Sequence, residues 1–240
     1  MILRRLVTSI RKQDWFAVVI ETLIVVMGVY LGIQLGNWNA ARADRAQGQQ
    51  LIERLYEEMT LSLENEADCM SFMAQNVERA RSTFEELRTR QLGEGGEEAF
   101  QQRFMRIGGW PDLCPIRATL AQLQAGQIAL VDDVVLKDQI LQFADYLQGS
   151  ETSIANLGTL YMGALREMSL HVDYAWDEGS RRLLTSFDEA ADDEVLLREL
   201  ETATFTLAMM LGYHEAFDER LHDMHAVLAE YLGEDVEADQ

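Results

Sequence analysis

The chain has 240 residues, and its 41 Asp and Glu against 20 Lys and Arg give a formal net charge of −21. That balance argues against DNA or RNA as a partner, since phosphate chains are bound by basic surfaces, and it describes a solvated acidic surface instead. Apolar residues make up 48% of the chain, divided between one lipid-like run near the start and an amphipathic remainder long enough for a core of its own.

Residues 1–14 carry Arg4, Arg5, Arg11 and Lys12. The run that follows, WFAVVIETLIVVMGVYLGIQL from Trp15 to Leu35, has Glu21 as its one charge. At about 1.5 Å per residue it reaches across a hydrocarbon core of about 30 Å. Trp15 at one edge and Trp38 just past the other suit the headgroup layers, where an amphipathic indole is most stable. Beyond the run Arg42 and Arg45 flank Asp44, so the basic excess lies ahead of it. The positive-inside rule then predicts residues 1–14 in the cytoplasm, a transmembrane helix over 15–36, and residues 37–240 on the far side. A cleavable signal peptide is the rival reading. Its apolar region is typically about 7 to 15 residues, shorter than this run, and GNWNAARADR holds the run away from the small residues Ala41 and Ala43. An uncleaved anchor is therefore expected. At about 100° per residue, Ala17, Glu21, Gly28, Gly32 and Gly36 share one side of the helix, which offers a small-residue groove and an acid to a partner helix or a second copy.

Past the membrane run, Leu51, Leu55, Met59, Leu63, Met70, Met73, Val77, Phe84 and Leu87 recur at three- or four-residue steps, predicting a long amphipathic, stalk-like helix that ends at Gly93-Glu94-Gly95-Gly96. Phe72, Met70 and Met73 read as core. Both prolines, Pro111 and Pro115, fall in GGWPDLCP, so the remaining chain lacks the strongest helix breaker. A short helix is expected from Pro115 to Leu123 with Gly126 as its cap. Another, capped by Asp132, should run through Leu136, Ile140, Phe143 and Leu147 to a break at Gly149-Ser150. Ile154, Leu157, Tyr161, Leu165 and Met168 continue the pattern, and a last long helix carries Leu196 to Leu228. No segment alternates long enough to demand a strand. The expected class is all-α: one membrane helix continuing into a stalk and an acidic helical bundle.

The stretch IETLIVVMGVYLGIQLGNWN, Ile20 to Asn39, with Glu21, Gly28, Gln34 and a closing Asn37-Trp38-Asn39, resembles the N-terminal signature of a family of uncharacterised bacterial single-pass membrane proteins, a domain of unknown function. ATLAQLQAGQIALVDDVVLKDQIL, Ala118 to Leu141, is similar to a leucine-rich turn and capped helix of the same family. Together the two stretches cover under a quarter of the chain. The resemblance implies an inner-membrane protein with an outward, periplasmic helical domain, and no catalytic residues.

Chemistry must then come from spacing. Asp218, His222 and His225 put a carboxylate and two imidazoles on one helix face, where a metal ion could be held with a ligand from another helix; a solvated polar face is the other reading. Glu219-Arg220-Leu221-His222 is a lone Glu-x-x-His, and a di-iron bundle needs a second one. His214 lies about 16 Å from His225 along the axis, too far to share an ion. There is no Gly-x-Ser-x-Gly, P-loop or dinucleotide fingerprint. Cys69 and Cys114 permit one disulfide in an oxidising compartment, closing a loop of 45 residues, or stand as two separate thiols. No cofactor is expected and no enzyme is indicated. The expected role is a membrane-anchored interaction or scaffolding module with the lipid bilayer and a membrane-helix partner or second copy as its associates. The alternatives are a periplasmic ligand-sensing domain, which with about 14 residues ahead of the membrane helix must act through a partner, and a metal-dependent enzyme around His222.

Overall fold

The computed structural model describes residues 15–177 and 180–233, with side chains over 19–176 and 181–233. Arg4, Arg5, Arg11 and Lys12 lie outside the described residues, as do the side chains of Trp15 and Ala17. The described residues are all-α apart from one small hairpin. Two compact units divide it at Gln50 and Leu51. Helix α1, Trp15–Thr89, runs through both, as 75 residues without a proline allow.

In the first unit, every residue from Val19 to Leu35 is exposed, including Leu23, Ile24, Val25 and Val29. This is the one helix among the described residues long and apolar enough to cross a membrane.

The second unit begins with the rest of α1. This part is a wall of the bundle, so the expected stalk does not extend past Gln50: Leu51, Ile52, Leu55 and Met59 are all buried. The helix stops at Thr89, and Arg90 turns the chain with a φ of 56°. Helix α2, Gly96–Met105, follows the glycine loop, and Gly95, at φ 89°, takes the left-handed conformation that glycine adopts without a Cβ penalty. Helix α3, Ala118–Gln124, starts three residues later than expected, and ahead of it the backbone N–H of Ile116 donates to the Ser62 hydroxyl on α1. A 3₁₀ turn over Gln127–Leu130 leads into α4, Val134–Met168. Asp133, not Asp132, caps α4, accepting from the Leu136 N–H at 2.9 Å. The expected break at Gly149-Ser150 is absent. Leu147, Ser150, Ile154 and Tyr161 keep one continuous buried stripe, and that packing outweighs the weak helix propensity of glycine.

An unexpected antiparallel hairpin follows, β1 Tyr174–Asp177 with β2 Ser180–Leu183, in the register Tyr174 to Leu183 and Trp176 to Arg181. Four residues a strand is too short for alternation to show in sequence. Helix α5, Phe187–Asp192, opens with a capping box between Ser186 and Glu189. Helix α6, Glu194–Leu232, is capped by Asp193 and closed by Gly233 at φ 71°.

The core has two apolar halves. One gathers Met73, Val77, Leu87, Phe100, Phe104, Tyr161, Met168, Leu200 and Leu207. The other gathers Leu51, Leu55, Met59, Leu120, Ile140, Leu147, Phe217, Leu221 and Leu228. All three long helices change from one half to the other: α1 between Met59 and Met73, α4 between Ile154 and Tyr161, α6 between Met210 and Phe217. Phe72 is corrected from core to surface, at 46% exposure, while Met73 beside it is fully buried.

Candidate functional site

The positions where the helices change halves hold the chain's least expected residues. On α1 the core face continues from Met59 through Ser62 and Glu66, both with no exposed surface. On α6 the equivalent position is His214, also fully buried. An ionisable group is almost never found so deep without a partner, and each of these has one. The Glu66 Oε1 lies 2.5 Å from His214 Nδ1, and its Oε2 accepts the Cys114 backbone N–H at 2.9 Å. The other ring nitrogen of His214 faces the Pro111 carbonyl oxygen at 3.4 Å.

These bonds belong to a longer series. The irregular segment 107–117 and the first turn of α3 lie along α1, and polar side chains of α1 take up their polar groups one after another. Glu58 accepts from the backbone N–H and hydroxyl of Thr119, Ser62 from Ile116, Glu66 from Cys114, and the Asn76 amide donates to the Gly109 carbonyl. Cys69 is joined to Cys114 by a disulfide with a Cα separation of 6.7 Å. Glu58, Ser62, Glu66 and Cys69 stand four, four and three residues apart, the spacing of one helix face. A loop without secondary structure of its own is thereby supplied with hydrogen-bond partners. Trp110 anchors its middle, edge-on to Tyr161 at 5.3 Å and pressed on Gly158, where an added Cβ would come within 2.6 Å of the indole. Apart from the two cysteines, the sequence reasoning missed this assembly; it took His214 only as too distant from His225 to share an ion. Between Met59 and Met73 the expected stripe passed through Leu63 and Met70, which are half-buried, whereas the core face of α1 runs through Ser62 and Glu66.

The proposed metal ligands do not converge. His225 stacks on Tyr56 with ring centroids 4.6 Å apart, and its Nε2 is 3.0 Å from the Thr60 hydroxyl, so it faces α1. His222 folds back on its own helix, with Nδ1 2.9 Å from the Asp218 carbonyl oxygen and 3.4 Å from its carboxylate. Among the described residues no group of three His, Cys, Asp or Glu side chains could hold a metal ion, which corrects the reading of Asp218, His222 and His225 as ligands. Burial raises the Asp218 carboxyl above its ordinary range, with His222 opposing and the Glu66 charge adding to the rise. Burial also lowers the His225 imidazole, and the neighbouring His222 lowers it further.

On the membrane run, Glu21 is exposed and Trp38 is 59% exposed. Gly28, Gly32 and Gly36 have no atom within 4 Å of where a Cβ would stand, beyond their own helix backbone. That strip of α1 is open.

No family model, curated protein or solved structure matches the chain. Its function is therefore argued from its own residues.

Proposed function

We propose that the chain is a membrane-anchored helical interaction module, held in a bacterial inner membrane by residues 15–36, with residues 37–240 in the periplasm. The observation that carries this reading is the exposed stretch from Val19 to Leu35. An apolar surface of that length and continuity is stable in lipid and not in water. Residues 1–14 carry the basic excess expected on the cytoplasmic side. The Cys69–Cys114 bond suits an oxidising compartment. The resemblance of Ile20 to Asn39 to a family of bacterial single-pass proteins supports the same topology. The open strip along Gly28, Gly32 and Gly36, with Glu21 on the same side, supports helix-to-helix contact inside the membrane, with a second copy or another single-pass protein. The enzyme alternative loses its ligands, because His225 and His222 are turned apart.

The test is crosslinking in native membranes. Parent chain stays in the pellet after alkaline carbonate extraction and gives a discrete crosslinked species. Gly28→Ile and Gly32→Ile reduce that species severalfold while leaving the chain in the pellet. Release of the parent by carbonate defeats the anchor, and identical crosslinking in all variants defeats the contact.

A further inference from the structure

Several arginines of this acidic chain are paired with a carboxylate, among them Arg88, Arg90, Arg103, Arg117, Arg198 and Arg220, and others, such as Arg79, are not. Arg106, Arg181 and Arg182 belong to the second kind and share one place. All three are exposed, none forms an ion pair with the described residues, and all three line one concavity of 240 Å³. One wall of it is the outer face of α2, with Glu98, Gln101, Gln102 and Met105 at helical spacing. The other is β2, through Arg181, Arg182 and Leu183.

Both walls are fixed from behind. Phe100 and Phe104 bury the inner face of α2, Leu183 has no exposed surface, and Phe100 meets Phe187 edge-on at 5.2 Å. The Arg181 guanidinium lies 3.4 Å from the centroid of the Tyr174 ring, which holds the group in place without neutralising it. The one acid in the lining, Glu98, has an oxygen 3.3 Å from the Gln102 amide nitrogen.

We propose that this concavity binds a small phosphate monoester. Three arginines in one lining can supply more planar N–H donors than the single carboxylate of Glu98 can satisfy, whereas a terminal phosphate offers three oxygens and close to two negative charges. The volume is below the range of about 300 to 1,000 Å³ usual for drug-sized ligands, which suits a compact polar group. Gln101 adds an amide to the lining. The inference is independent of the membrane reading. The monoester can be a free solute or a lipid headgroup, and the two are separable.

The experiment uses the full chain in a neutral detergent, titrated with glycerol 3-phosphate and with dihexanoyl phosphatidic acid below its micelle concentration, at constant ionic strength, with heat of binding as the readout. Saturable binding is expected for at least one probe, weakened about tenfold by Arg106→Gln or Arg182→Gln, about a hundredfold by the two together, and not at all by Arg198→Gln. Equal affinity for the two probes assigns a free solute, and affinity at least tenfold higher for the lipid assigns a headgroup. Absence of saturable binding by either probe, or binding that the double variant retains at parental strength, overturns the site. Near-parental unfolding midpoints for the variants establish that a loss of binding is not a loss of fold.

Discussion

Glu66 and His214 stand 148 positions apart in sequence and meet inside the core with no exposed surface on either. Truncating one leaves the other buried without its partner, and a broken buried pair typically costs about 3 to 5 kcal/mol. Glu66→Ala also strands the Cys114 N–H. Each single variant, Glu66→Ala or His214→Ala, should therefore lower stability by about that amount, and the double variant by much less than the sum, since the stranded partner is then gone too. Urea unfolding of the full chain in neutral detergent measures it; single variants within 1 kcal/mol of the parent would refute the coupling. Periodicity placed Met59, Met73 and Leu207 in the core because apolar side chains need only a shared face. The pairing of Glu66 with His214 was not legible, since a sequence of 41 acids gives no sign which of them folding will dehydrate. The same limit explains Asp218, His222 and His225: helical spacing put them on one side of α6, but rotamer and neighbours turned His225 onto Tyr56 and His222 back onto its own helix.

At the level of elements, the long helices were readable from apolar spacing and the lack of proline, while their ends were decided by partners distant in sequence. Asp133 takes the cap expected of Asp132, Ile116 ahead of α3 donates its backbone N–H to Ser62 on α1, and Gly149 passes unnoticed inside α4 because its neighbours share one buried stripe. The hairpin left no periodic trace. Capping offers a test at the start of α6. The Asp193 carboxylate accepts from the backbone N–H groups of Val195 and Leu196, and its other oxygen lies 2.8 Å from His171 Nδ1. Its carboxyl is held below the ordinary range chiefly by the Leu196 N–H, with His171 adding to the effect against burial. A carboxyl lowered by folding stabilises the native state above its unfolded value, about 3.9, and that contribution disappears as pH falls through the lower folded value. Asp193→Ala should cost about 1 kcal/mol at neutral pH. Asp193→Asn keeps a cap acceptor but cannot titrate, so its stability should fall less than the parent's between pH 5 and pH 2 (about the window such linkage occupies). Parallel acid limbs for parent and Asn variant, by thermal unfolding at stepped pH, would contradict the assignment.

At the scale of the whole molecule, segment 107–117 contributes to both apolar halves, Ile107 to one and Leu113 to the other, and it is fastened to α1 by side-chain hydrogen bonds and one covalent bond. The disulfide spans 45 residues, enclosing all of α2 and the end of α1. Cross-linking a loop of that size removes unfolded-state entropy worth about 2 to 4 kcal/mol. The hydrogen bonds from Ser62, Glu66 and Asn76 do not depend on it, so the reduced chain should remain folded and only less stable. Cys69→Ser with Cys114→Ser, or reduction of the parent, is therefore expected to lower the urea midpoint by a matching amount while leaving helix content by circular dichroism unchanged. The same bond reports on compartment. If the second unit is periplasmic as proposed, neither Cys69 nor Cys114 in whole cells quenched with acid should take up a thiol-reactive gel-shift label until a reductant is added, and both should then react together. Two labelled cysteines without reductant would remove the disulfide and, with it, one support for the periplasmic assignment. Loss of helix content on reduction would instead show that the bond, and not the polar series on α1, holds the two halves of the core in register.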